Sequence, residues 1–192
     1  MEQLLDLDRR LLLFLNGLHT PFMDTIMYFL TEIYAWVPLY LCLIFLVAKK
    51  LKKETWLVLL GAVITIVLCD QITSGFMKPF FARLRPSHEP SLEGLIHIVN
   101  GYRGGQYGFA SGHSANTFGV SLFVWLTLKP YYKWIGLIFI WAALMTYTRI
   151  YLGVHYPADI LVGGTIGMGC GWIGFKVSRY LIGRKNKKSA VV

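Results

Sequence analysis

"GFASGHSANTFGVSLFVWLTL", residues 108 to 128, decides how this chain is laid out. From Gly112 onward the run is apolar and nearly long enough to cross a bilayer as a helix, yet it opens on a serine, a glycine and a histidine. If Ser111 caps that helix, the free N–H groups of Gly112 and His113 point outward with the positive end of the helix dipole behind them. Such an end attracts an anion. Gly112 leaves room for close approach of an oxyanion, and His113 stands over the same place as a proton donor.

The rest of the chain supports reading this run as a membrane span. Hydrophobic residues make up 55% of the 192 and charged ones only 15%. The apolar residues gather into further blocks, Ile33 to Ala48, Thr55 to Met77, Trp134 to Tyr147 and Ile160 to Ile182. Segments of that kind satisfy their backbone groups internally, as helices crossing lipid must. The expected fold is therefore all-α: one integral membrane domain over residues 1–192, with about five transmembrane helices. Residues 4–19 mix apolar side chains with Asp6, Asp8, Arg9 and Arg10 and read as an amphipathic helix on the outer surface. The first span is expected from about Phe22 to Ala48, kinked at Pro38.

A net charge of +9 would suit a nucleic-acid partner, but the cations flank the apolar blocks. Lys49, Lys50, Lys52 and Lys53, then Lys129 and Lys133, then Arg184, Lys185, Lys187 and Lys188 mark three cytoplasmic segments by the positive-inside rule. Residues 183–192 read as a basic cytoplasmic tail. The loop over 78–110 and the turn from Arg149 to Pro157 then face outward. Cys42, Cys69 and Cys170 lie inside apolar blocks at no metal-ligand spacing and read as small core residues.

Three polar clusters fall at the outer ends of the helices. "KPFFARLRP" places Lys78 and Arg85 where a point charge and a planar fork can grip one anion. Ser111, Gly112 and His113 form the second cluster. In "TRIYLGVHYPAD", Asp159 lies four residues after His155, so it can hold one ring nitrogen and leave the other basic, with Arg149 close by. Taken singly, each has an ordinary reading as a snorkelling cation, a helix cap or an acid at a helix start. Together they form an intramembrane polar cluster suited to holding a tetrahedral anion.

Lys78, six residues, then Arg85-Pro86; Ser111-Gly112-His113; and Arg149, five residues, then His155, three residues, then Asp159: in this order the chain resembles the type 2 phosphatidic acid phosphatase superfamily. That family shares its site with vanadium haloperoxidases. The resemblance implies that His155 attacks phosphorus, Asp159 orients it and His113 protonates the leaving oxygen. It implies that Lys78, Arg85, Ser111, Gly112 and Arg149 bind the phosphoryl group, and that no metal or other cofactor takes part. The pattern departs from the usual one at Ala110, where proline is common, and at Thr148, where serine is.

The expected activity is hydrolysis of a phosphate from an envelope lipid, lipid A phosphate or undecaprenyl diphosphate, at the outer face of a bacterial inner membrane. Phosphatidylglycerol phosphate is an alternative substrate, and a non-catalytic lipid-binding membrane protein is an alternative of another class. The partners expected are a phosphorylated lipid and the bilayer, without nucleic acid. Tyr102, Arg103, Gln106, Tyr107 and Phe109 are candidates for head-group contacts. Asp70, inside the second span, pairs either with a site cation or with another span.

Overall fold

A computed structural model of the chain describes residues 2–189. Among the described residues the fold is all-α apart from one isolated antiparallel bridge, Leu84 to Tyr107. Two short helices, α1 (Glu2–Asn16) and α2 (Pro21–Leu30), precede α3 (Val37–Leu51) and α4 (Thr55–Asp70). A π-helical stretch, Gln71–Met77, carries α4 without a break into a last turn, α5 (Lys78–Phe81). After a long loop come α6 (Gly112–Leu128), α7 (Ile138–Tyr151) and α8 (Pro157–Ser189).

Residues 22–48 do not form one kinked span. The chain turns at Thr31 and Glu32, and Pro38 sits in the first turn of α3, where its missing N–H and fixed φ cost nothing. The span thus starts late, and apolar helical chain of membrane-crossing character runs over Ile33–Phe81, turned at Lys52 (φ 44°) between α3 and α4, with further stretches at Lys133–Tyr151 and Pro157–Lys187. The loop is also shorter than expected, since Lys78–Phe81 is helical and Ala82 ends that helix in the left-handed region. Of the basic tail expected over 183–192, residues through Ser189 continue α8 and the last three lie outside the described residues.

The helices meet through a core of Leu46, Leu57, Phe123, Leu128, Trp141 and Met145, drawn from α3, α4, α6 and α7. Large apolar side chains such as Leu41, Phe45, Val63, Ile140, Leu161 and Trp172 remain exposed, as lipid-facing positions do. The seam between α6 and α8 is closer than any of these contacts. A Cβ on Gly163, Gly167 or Gly171 would lie 2.4, 2.1 or 2.3 Å from the carbonyl oxygens of Ser111, Ala115 and Gly119. Only glycines spaced by four let two backbones approach so nearly. That seam fixes the start of α6 against the start of α8.

Helix α1 is 15 residues long, too short to cross a bilayer. Its buried stripe is Asp8, Leu12 and Asn16, while Leu4, Leu7, Leu11 and Phe14 are exposed. Asn16 Nδ2 donates to the carbonyls of Tyr151 (2.7 Å) and His97 (3.0 Å), and its Oδ1 accepts from His97 N (2.8 Å). One side chain therefore ties α1, the long loop and the end of α7 together. Gly153, at φ +67°, takes the left-handed turn that releases the chain from α7 toward His155.

Candidate active site

The ends of α5, α6, α7 and α8 converge, and with them the residues of the three polar clusters. Asp159 in the first turn of α8 is fully buried, His155 is 1% exposed, Arg149 2% and Arg85 8%. Such groups are kept inside only by mutual pairing or by a ligand.

His155 Nδ1 lies 3.2 Å from Asp159 Oδ2, and its Nε2 lies 3.3 Å from Arg85 Nη1. A guanidinium can only donate, so Nε2 is the acceptor and the ring proton sits on Nδ1, facing the carboxylate. The lone pair of Nε2 thus faces the cations. Burial, followed by the charges of Arg85 and Arg149, holds the His155 pKa well below its ordinary value, so the ring is neutral. Arg85 is itself fixed by Tyr107 O (3.1 Å) and Val154 O (3.4 Å), with Gly104 and Gly108 packed flat against its side chain.

Arg149 donates through Nη1 to Thr31 Oγ1 and through Nη2 to Tyr102 OH at 3.0 Å. Its buried Nε has no partner, which leaves a donor open for an anion. The turn at Thr31 that shortens the first span therefore serves the site, because it delivers this hydroxyl. Thr148, one of the two departures from the usual pattern, donates to Met145 O (2.7 Å) and touches the same Thr31 hydroxyl (3.2 Å).

Ser111 caps α6, its Oγ accepting from Ser114 N at 3.4 Å, and its own N donates to Asp159 O at 3.0 Å. Gly112 backs onto Lys78: a Cβ there would stand 3.8 Å from Nζ. Lys78 is steadied by Ser74 Oγ at 3.0 Å. His113 is partly exposed and lies within the field of Arg149, His155, Arg85 and Lys78. Among the described residues no three His, Cys, Asp or Glu side chains gather for a metal ion.

Of the loop candidates, Tyr102 joins the site through Arg149, and Tyr107 contributes its carbonyl. Arg103 turns away to Ser87 O at 2.9 Å, and the Phe109 ring packs on Phe81. Asp70 accepts from Asn116 Nδ2 of α6 at 2.9 Å, so it bonds to another span.

Arg83 and Asp8 are site residues that the motifs do not nominate. Arg83 donates to the second oxygen of Asp159 (Nη1 to Oδ1, 3.0 Å) and to Asp8 Oδ2 (2.8 Å), its guanidinium stacked 3.9 Å over the Tyr156 ring. Asp8 Oδ1 in turn accepts from Ala158 N at 2.8 Å. In the structure Arg83 and Arg85 flank the bridge at Leu84 in an extended segment, where side chains two apart share a face, so Arg83 accompanies Arg85.

Taken together, the fold and this pocket define a membrane-embedded helical bundle that gathers cations around a neutral, carboxylate-held histidine. The chain belongs to the PAP2 superfamily, which it matches over residues 55–182, and it is a phosphatase. It is 38% identical to the lipid A 4'-phosphatase of Bacteroides thetaiotaomicron, over 100% of this chain and 85% of that one. It is 40% identical to the lipid A 4'-phosphatase of Porphyromonas gingivalis, over 94% of this chain and 76% of that one. Its fold matches the crystal structure of Aquifex aeolicus LpxE with a TM-score of 0.63 at 27% identity, covering 88% of this chain and 95% of that one.

Proposed function

We propose that this membrane phosphatase removes a phosphate from a lipid A-type glycolipid at the outer face of the inner membrane, through a phosphohistidine on His155. The observation that carries the reading is the placement of His155, with Nδ1 on Asp159 and Nε2 beside Arg85. Lys78, Arg85, Arg149 and the N–H groups at Gly112 and His113 bind the phosphoryl oxygens and neutralise the charge that spreads over them in the transition state. Nε2 attacks phosphorus, forming the N–P bond as the P–O bond to the lipid breaks. His113 gives its proton to the departing oxygen. Water then attacks the phosphohistidine, returns a proton to His113 and releases inorganic phosphate.

Lipid A is preferred over undecaprenyl diphosphate on the strength of the two relatives that match nearly the whole chain. The outer-face placement rests on the flanking lysines and arginines. Purified protein in detergent with EDTA should release phosphate from lipid A, and His155→Ala should not. Binding without release would point to a lipid-binding protein. For the topology, a cysteine at Leu95, which is exposed in the loop, should be labelled by an impermeant thiol reagent from the periplasmic side. Labelling only after permeabilisation of the inner membrane contradicts the outer-face assignment.

A further inference from the structure

A line of polar side chains leaves the phosphoryl pocket and runs down the membrane-facing flank of the bundle. Asp70, Ser74 and Lys78 recur at every fourth residue of one continuous helical stretch, which sets them on one side of it. Lys78 Nζ donates to Ser74 Oγ at 3.0 Å, and the charge of Asp70 reaches Lys78. Facing this stretch, Asn116 lies one turn below His113 on α6 and donates to Asp70 Oδ1 at 2.9 Å. The line therefore starts at two groups of the pocket. It ends about two helical turns deeper, at Asp70.

The chemistry described above uses Lys78 and His113 but leaves Asp70 and Asn116 without a task. Asp70 is exposed on the surface of a helix of membrane-crossing character, where a carboxylate is costly and marks function. Its one hydrogen bond is at Oδ1, and Asn116 Oδ1 is buried with no donor at all. Asp70 thus presents an open acceptor on the flank, Asn116 keeps one beneath it that no group of the bundle meets, and the line between them and the pocket is polar throughout.

We propose that Asp70, held in place by Asn116, is a specificity site that accepts hydrogen bonds from N–H and O–H groups of the lipid below its phosphate. The ligand class this fits is an acylated amino sugar, which carries amide and hydroxyl donors beside its phosphate. A prenyl diphosphate offers only hydrocarbon at that depth and leaves the acceptors unmet, which is how a polar site rejects a ligand lacking its partner. The inference rests on the phosphatase reading. It adds the feature that selects among phosphorylated lipids.

Asp70→Asn separates this role from simple attachment of α4 to α6. The variant keeps Oδ1 to accept from Asn116 but replaces the open acceptor with a donor. We would measure kcat/KM for lipid A and for undecaprenyl diphosphate, with the thermal unfolding midpoint, in wild type, Asp70→Asn and Asn116→Ala. The expected result is a lipid A to undecaprenyl diphosphate ratio lowered by about tenfold or more in Asp70→Asn, with the midpoint unmoved. An unchanged ratio, including equal loss on both lipids, overturns the specificity site. A wild type inert on both overturns the phosphatase reading instead, and the two failures are told apart by the wild-type rates.

Discussion

Asp8 of the first helix and Arg83 of the long loop are joined by an ion pair of 2.8 Å, and the same guanidinium reaches Asp159, the carboxylate beside the ring of His155. Helix α1 is therefore part of the candidate site. Asp8 fixes Arg83, Arg83 fixes one oxygen of Asp159, and the other oxygen of Asp159 holds His155.

The first prediction follows from that chain of contacts. Arg83→Ala or Asp8→Ala should lower kcat by up to about 100-fold with little change in KM, because the ring is misplaced while the phosphate ligands remain. The double variant should be little worse than Arg83→Ala alone, since both act through one carboxylate. Steady-state kinetics of the four proteins checks it. Additive losses, or a rise in KM alone, would rule out the positioning role.

A second prediction concerns protonation. His155 is held neutral in the folded protein, whereas in the unfolded chain it binds a proton below about pH 6.5. The unfolded state then carries more protons, so stability is lost as pH falls below that value and is unaffected above it. Ring carbon NMR of histidine-labelled protein, assigned with His155→Asn, should show the neutral form persisting at pH 5.5. A resonance titrating near the ordinary value contradicts the geometry.

The third concerns Arg149, whose buried Nε awaits an acceptor. Arg149→Lys removes the fork and leaves the charge, and it should raise KM and lower kcat together, since bidentate contact strengthens as charge develops on the phosphoryl oxygens. A variant with unaltered kcat would mean that Arg149 serves only to hold Thr31 and Tyr102.

The fourth concerns the glycine seam. A Cβ at Gly167 meets backbone, which cannot move aside as a side chain could. Gly167→Ala should cost about 1–3 kcal/mol and lower activity by shifting Ser111 relative to Asp159. Gly169→Ala, where nothing lies within 4 Å, should do neither. Thermal unfolding in detergent compares the two.

The polar clusters were legible because each uses a local rule. His155 and Asp159 lie at helical spacing, Ser111 stands where an apolar run begins, and Lys78 and Arg85 bracket a helix end. The break at Thr31 was not legible, because the stretch from Phe22 to Ala48 carries no Gly to mark a turn and its Pro38 reads equally as a kink or a start. Asp8 was hidden for a different reason. On an amphipathic helix a charged residue reads as the solvated face, and its burial depends on a partner 75 residues away. Gly163, Gly167 and Gly171 do stand at a four-residue spacing in plain view. They read as part of an apolar block, since small residues show their purpose only against the backbone they admit.

The central claim is that His155 carries the phosphoryl group. Rapid quenching of purified protein mixed with lipid A labelled at the scissile phosphate should trap an acid-labile, base-stable phosphoprotein whose label maps to the peptide containing His155 and is absent from His155→Ala. Phosphate release by His155→Ala at the wild-type rate, with no labelled protein in either, would contradict the account.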